Sequence, residues 1–240
     1  MEYGKNIFRI RNLIEVINSS LGDNKPDDCI KKCHSDMAYP PIGYKLFYQY
    51  DNDMDKNVKY AISNDVYELL ENQWNIDTKN DERYADFMLN IIMVEVDITM
   101  TLNMWDIISN EIKTRGHECI QSPSSFRDEF ETRPKEFTNL DFESCVFNVT
   151  DDTLKSLNVI ANDYIKTGNK ASLDILCSVI PSYYKQNRII MTNYKTLKNL
   201  VPVIINKVNQ WNEIKEECGR EEREFLSFLK ELPLSSLYLF

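Results

Sequence analysis

Apolar and polar residues alternate without a fault from Val94 to Met104, reading Val-Glu-Val-Asp-Ile-Thr-Met-Thr-Leu-Asn-Met. That is the period of a strand. The alternation nonetheless sits inside 35 residues, between Asn80 and Gly116, that contain neither Gly nor Pro. Asp81 and Glu82 suit the positive end of a helix dipole, and Lys113 and Arg115 suit its negative end. With nothing between them to end it, the span is expected to be one helix, about 50 Å long at 1.5 Å per residue, that serves as a spine. A strand over 94–104 is the alternative. The choice matters for Glu95 and Asp97, which would share a face on a strand but diverge by about 160° on a helix.

Elsewhere the spacing is mostly helical. Ile7, Ile10, Ile14, Ile17 and Leu21 recur at three and four residues and predict a helix over 7–21 stopped by Gly22. Residues 22–43 read as loop, and the aromatic run 44–50 as a strand or a buried extended segment. A charged turn follows over 51–59. Asp65 with Glu68 resembles a capping box, opening a helix whose apolar face is Val66, Leu69, Leu70 and Trp74. Residues 117–150, with Pro123, Pro134 and seven acidic residues, predict an acidic connection with a short strand over 145–149. Helices are then expected over 151–167, 171–185, 192–218 and 221–232. Gly168 and Gly219 stand where a left-handed cap favours glycine.

These elements predict a mainly α protein, a helical bundle or HEAT-like stack of helix pairs with a minor β element at 44–50, 94–104 and 145–149; α+β is the alternative. An N-terminal helical layer over 1–116 and a C-terminal one over 151–240 would flank the connection at 117–150, or all three would form one compact domain. Only six Gly and eight Pro in 240 residues disfavour an all-β chain, which needs frequent turns.

Composition narrows the function classes. A formal charge of −10 makes the surface as a whole repel nucleic acid and anionic lipid. No apolar run reaches the roughly 20 residues of a membrane span, and the N-terminal segment, broken by Arg9, Arg11 and Glu15, lacks a signal peptide's apolar stretch. The expectation is a soluble intracellular protein, cytoplasmic or nuclear, with its cysteines reduced. Twenty-four asparagines point to an AT-rich coding sequence.

Candidate chemistry is sparse. Cys29, Cys33, His117 and Cys119, with His34 beside them, are the residue types that hold structural zinc, although their spacing matches no finger or ribbon. No other cofactor is expected, and no catalytic residue. GxSxG, Walker, GxGxxG and HExxH motifs are absent, and only two histidines are present. Residues 175–212 carry Lys185, Arg188, Lys195, Lys198 and Lys207 with no Asp or Glu, and Tyr183, Tyr184 and Tyr194 interleave with them. Such a mixture can hold a phosphate or a nucleic-acid strand, or can dock on the chain's own acidic segments. The leading expectation is a non-enzymatic protein-interaction module, an adaptor, assembly subunit or inhibitor. Its partner would lie in a groove between helices lined by Met88, Met93, Met100, Met104 and Trp105. A nucleic-acid or phosphate-ligand binder using 175–212 is the alternative, and a helical enzyme the third reading.

Overall fold

The structure, a computed structural model, describes residues 8–22, 26, 29–34, 39, 41–51, 56–70, 72, 82–115, 120–142, 149–212 and 219–235. It corrects the expected helical bundle: the fold is mixed α/β with two sheets, one four-stranded in the order β1 (Phe8–Arg11), β5 (Met93–Thr101), β7 (Lys185–Asn193), β6 (Ile120–Ser122) and one three-stranded in the order β2 (Ile30–Lys32), β4 (Lys56–Ser63), β3 (Tyr44–Asp51).

The expected spine is three elements: helix α3 (Glu82–Ile91), strand β5 (Met93–Thr101) and helix α4 (Leu102–Arg115). Strict alternation outweighs the missing terminator. As a strand, β5 buries Val94, Val96, Ile98 and Met100 on one face and leaves Glu95, Asp97 and Thr99 on the other. A helix would have spread those four apolar side chains around its circumference, and Val, Ile and Thr fit a pleated surface better.

Strand β1 (Phe8–Arg11) pairs antiparallel with β5, placing Arg9 opposite Glu95 and Ile10 opposite Val94. The helix expected over 7–21 therefore starts only at α1 (Leu13–Leu21). Asn12 makes the corner in the left-handed region, at φ 64°, and its side-chain amide donates to the Ile91 carbonyl at 3.0 Å. Asn is one of the few residues that visits this region readily.

In the second sheet, β4 (Lys56–Ser63) pairs antiparallel with both β2 (Ile30–Lys32) and β3 (Tyr44–Asp51). Much of the expected turn over 51–59 is thus strand, and the expected loop over 22–43 contains one. Helix α2, over 64–70, follows β4 directly, and the Ser63 hydroxyl accepts the Val66 N–H at 3.4 Å. Val66 and Leu70 are buried while Leu69 is exposed; Trp74 lies outside the described residues.

The stretch 117–150 supplies core rather than connection alone. It holds β6 (Ile120–Ser122), α5 (Phe126–Thr132) and a 3₁₀ turn (Asn139–Phe142). The Ser125 hydroxyl accepts the Asp128 N–H at 3.2 Å and caps α5. Phe126 and Phe130 then share one face, and Phe130 stacks on Phe137 with ring centroids 5.8 Å apart. Tyr184 meets Phe126 edge-on at 5.2 Å, an arrangement the ring quadrupoles favour. Leu157, Ala161, Leu173 and Leu176, from α6 (Asp151–Thr167) and α7 (Lys170–Val179), belong to the same cluster. Of the strand expected over 145–149, residues 145–148 lie outside the described residues.

Where two helices are expected to fill 171–218, the structure has α7 ending before Pro181, then β7 (Lys185–Asn193) and α8 (Tyr194–Asn212); α9 (Arg220–Glu231) follows. The corner β7–α8 repeats the corner β5–α4. Leu102 N–H donates to the Tyr184 carbonyl at 2.9 Å, and 92 residues later Tyr194 N–H donates to the Ile92 carbonyl at 3.1 Å. These bonds, at opposite ends of neighbouring strands, set β5 and β7 antiparallel. Each corner also carries a cap: the Thr101 hydroxyl accepts the Met104 N–H at 3.2 Å, and the Asn193 side chain accepts the Thr196 N–H at 2.8 Å.

The chain divides into two compact units, one built chiefly from Asp97–Ile190 and Val203–Phe225, the other from Ile7–Val96, Met191–Pro202 and Leu226–Phe240. In the first, the Glu221 carboxylate accepts the Thr101 N–H at 2.7 Å and the Thr101 hydroxyl at 2.5 Å. Glutamine can accept only one of these two bonds. Glu221→Gln is therefore expected to cost about 1–3 kcal/mol, the penalty for stranding a buried donor, read as a lower urea midpoint at unchanged slope.

Candidate functional site

The register of β3 and β4 sorts their side chains onto two faces. Residues directly opposite one another in an antiparallel pair share a face, so Lys45, Phe47 and Gln49 lie with Ile62, Tyr60 and Val58. This is the core side: Phe47, Val58 and Ile62 are buried, and the Gln49 carbonyl oxygen accepts the Ile14 N–H of α1 at 2.8 Å. Tyr44, Leu46 and Tyr48 lie on the other face with Ser63, Ala61 and Lys59, and Tyr50 continues their row. Lys31 on β2 stands opposite Ala61 and joins them.

That second face is aromatic and cationic. The Lys31 ammonium lies 5.4 Å from the Tyr44 ring centroid and the Lys59 ammonium 5.4 Å from that of Tyr48. The Tyr50 ring carries both the Arg9 guanidinium, at 4.8 Å, and that of Arg11, at 4.9 Å. All are within cation–π reach. Tyr48 is 40% exposed. Arg9 and Arg11 share one carboxylate, Glu95, at 2.8 and 3.4 Å; their side chains are 41% and 30% exposed, that of Glu95 15%. Among the described residues, Glu95 is the carboxylate that pairs with these two guanidinia. Every residue named belongs to the second unit.

The strand assignment also settles Glu95 and Asp97, which do lie on one face of β5. They do different work. Glu95 binds the arginines, whereas Asp97 accepts the Asn187 side-chain amide at 2.6 Å.

The seven residues proposed from 175–212 fall into both units: Tyr183, Tyr184, Lys185 and Arg188 in the first, Tyr194, Lys195 and Lys198 in the second. Arg188 is 4% exposed; its guanidinium donates to the side chains of Gln186 and Gln121 at 2.8 and 2.9 Å and to the Ser124 carbonyl at 3.2 Å. It lies 4.9 Å from the Trp105 ring, whose N–H donates to the Gln186 carbonyl at 2.9 Å. No carboxylate of the described residues pairs with it, and burial holds its pKa below the ordinary arginine value. Lys195 and Lys198 both pair with Asp86. Tyr184 and Tyr194 are fully buried, the latter donating to the Pro233 carbonyl at 2.7 Å. Tyr183 packs edge-on against Phe142, and Lys185 and Lys207 are half-exposed.

Of the zinc candidates, Cys29 is buried, Cys33 half-buried and His34 exposed, while His117 and Cys119 lie outside the described residues. Among the described residues no three His, Cys, Asp or Glu side chains converge as a metal site. No described helix is long and apolar enough to cross a membrane.

Comparison with protein-family models and with curated proteins returns no match. Among solved structures, the chain resembles thymidylate synthase X from Helicobacter pylori with FAD and dUMP, at 15% identity and a TM-score of 0.42, over 70% of this chain and 81% of that one. A likeness so distant assigns this chain neither that activity nor those ligands.

The helical, non-enzymatic adaptor without cofactor is not carried further, because the two sheets overturn its helical frame and burial overturns its groove. Met88, Met100, Met104 and Trp105 are buried and Met93 is half-buried, so the groove expected from them is interior. Sequence reasoning missed Arg9, Arg11, Lys31, Tyr44, Tyr48, Tyr50 and Lys59 as a set. Their signal is period two: Arg-x-Arg in β1, and Tyr-x-Leu-x-Tyr-x-Tyr in β3.

The first unit holds a second polar cluster beside Arg188. The Tyr184 hydroxyl donates weakly to Glu129, at 3.4 Å, and burial raises the pKa of Glu129 against the opposing effects of Lys135 and of hydrogen bonds from Tyr184 and Gln186. A carboxyl with a raised pKa binds its proton more tightly folded than unfolded. Its contribution to stability is full below the unfolded value of about 4.3 and is lost as pH rises through the elevated folded value. Glu129→Gln, neutral at every pH and still able to accept from Tyr184, should lose less stability than wild type between pH 4 and 8. Melting temperatures measured across that range test this, and parallel curves would refute it.

Proposed function

We propose that the protein binds a ligand carrying both phosphates and aromatic bases, a nucleotide or nucleic acid, on the Tyr44–Tyr48–Tyr50 face of the three-stranded sheet. This keeps the phosphate-binding alternative but moves it from 175–212 to the second unit. The observation that carries it is the placement of four cations, Arg9, Arg11, Lys31 and Lys59, against three tyrosine rings of one sheet face. Rings offer stacking to any base, and cations track the phosphates.

The net charge of −10 opposes this only at long range. At physiological ionic strength charges more than about 8 Å apart are screened, so the cations of the face itself dominate a bound phosphate. Guanidinium forks match phosphate oxygens bidentately, and the lysines add point charges.

Anisotropy titrations of a labelled oligonucleotide from 20 to 300 mM salt test the reading. Four phosphate contacts, offset in part by Glu95, should give a slope of log K against log salt of about −2 to −3. Lys31→Ala combined with Lys59→Ala should flatten that slope by about 1–2. Absence of association at the lowest salt, for DNA, RNA and mononucleotides alike, would remove the proposal.

A further inference from the structure

We infer that the ligand of this face is single-stranded nucleic acid, its bases stacked along β3 and one backbone phosphate held between Arg9 and Arg11 in the place now taken by the Glu95 carboxylate. The inference rests on the binding reading above and goes beyond it in strandedness and in the phosphate position.

Strandedness follows from the geometry of the rings. Tyr48 and Tyr50 are two residues apart on one strand, so their rings rise from the sheet about 6.6 Å apart along it, at about 3.3 Å per residue. Tyr44 continues the line beyond Leu46, and Tyr48 is 40% exposed. A duplex keeps its base faces inside its own stack and could meet this surface only through its phosphates. Unpaired bases can leave their stack and lie on the rings, with Lys31 and Lys59 within reach of the backbone between them.

The phosphate position follows from charge. Glu95 accepts from Arg9 at 2.8 Å and from Arg11 at 3.4 Å, and both guanidinia also lie over the Tyr50 ring. Two cations sharing one anion beside an aromatic ring form a socket that a phosphate can enter in place of that anion, and their 41% and 30% exposure leaves them open to solvent. Glu95 stands directly opposite Arg9 in the β1–β5 ladder, so the backbone holds it in place. It acts as a tethered competitor, keeping the arginines ordered until a phosphate displaces it.

The test uses the full chain with a labelled oligothymidylate and a duplex of equal length, in wild type, Tyr48→Ala, Glu95→Gln and Arg11→Gln, each first checked for an unchanged melting temperature. Wild type should favour the single strand by about tenfold, and Tyr48→Ala should weaken single-strand binding about five- to tenfold while leaving duplex binding unchanged, the scale of one lost stack. Glu95→Gln should tighten binding and steepen the salt slope by up to about 1, and Arg11→Gln should weaken binding and flatten it. Equal affinity for single strand and duplex, with Tyr48→Ala silent, would overturn the single-strand assignment and leave phosphate binding standing. Affinity unchanged or weakened in Glu95→Gln would overturn the phosphate position. Failure of wild type to bind either nucleic acid at low salt would overturn this inference, and the binding reading falls with it only where mononucleotides fail as well.

Discussion

Each side chain of β5 from Val94 to Met100 has one of two destinations, and most of the architecture follows from that choice. Val94, Val96, Ile98 and Met100 go inward, where each buried aliphatic side chain stabilises by about 1.5–3 kcal/mol relative to exposure. Glu95, Asp97 and Thr99 are left on the opposite face. Slipping the register by one residue would bury two carboxylates and expose four apolar side chains, so one alignment is strongly preferred. That alignment sets Glu95 opposite Arg9 and leaves Asp97 beside Asn187.

The ends of β5 and β7 impose a second constraint. Each strand turns into a helix with no intervening residue, so the first N–H groups of the helix need partners supplied from nearby. The neighbouring chain supplies one each time, through the carbonyls of Tyr184 and Ile92, and a capping side chain supplies another. The two caps differ in their support. Asn193 accepts from both the N–H and the hydroxyl of Thr196, a closed local set, whereas Thr101 depends on Glu221, 120 residues distant. Burial raises the pKa of Glu221, opposed by the hydrogen bonds from Thr101. The first corner is thus tied to the start of α9, and the second is complete in itself.

How much of this was legible in the sequence depends on whether a segment's period was local or set by its neighbours. Helices α6 and α9 were readable because apolar spacing and stop signals agree; α6 spans the expected 151–167 up to Gly168, and α9 ends ahead of Pro233. Strand β5 was visible as alternation but not decidable, because the same residues lack any helix terminator. Strand β7 was missed: Ile189-Ile190-Met191 carries no clear alternation, and its burial pattern is set by Gln186, Arg188 and Thr192, polar residues that go inward to hydrogen-bond or cap. Helix α5 carried a readable start, Ser125-x-x-Asp128 ahead of Phe130, outweighed by the prolines and acids around it. At the candidate site, the tyrosines of β3 were noticed as an aromatic run, while their union with Lys31, Lys59, Arg9 and Arg11 needed the pairing of strands far apart in sequence.

Arg188 and Arg9 show why a count of charges along the chain misplaces a binding surface. Both sit on strands of the same sheet and both lie against an aromatic ring, Trp105 for one and Tyr50 for the other. Arg188 shares its phase with Gln186 and Ile190, the inward side of β7, so its donors are used by amide and carbonyl oxygens. Arg9 is out of phase with the buried Ile10, so it faces outward, where it meets the Tyr50 ring and, among the described residues, one shared carboxylate. A fixed neutral dipole cannot be displaced by a ligand without stranding a buried charge, whereas a carboxylate shared by two partly exposed guanidinia can exchange for a phosphate that restores the same charge pairing. The phase of an arginine within its strand, more than the local density of basic residues, therefore decides which cations of this acidic protein can serve a ligand.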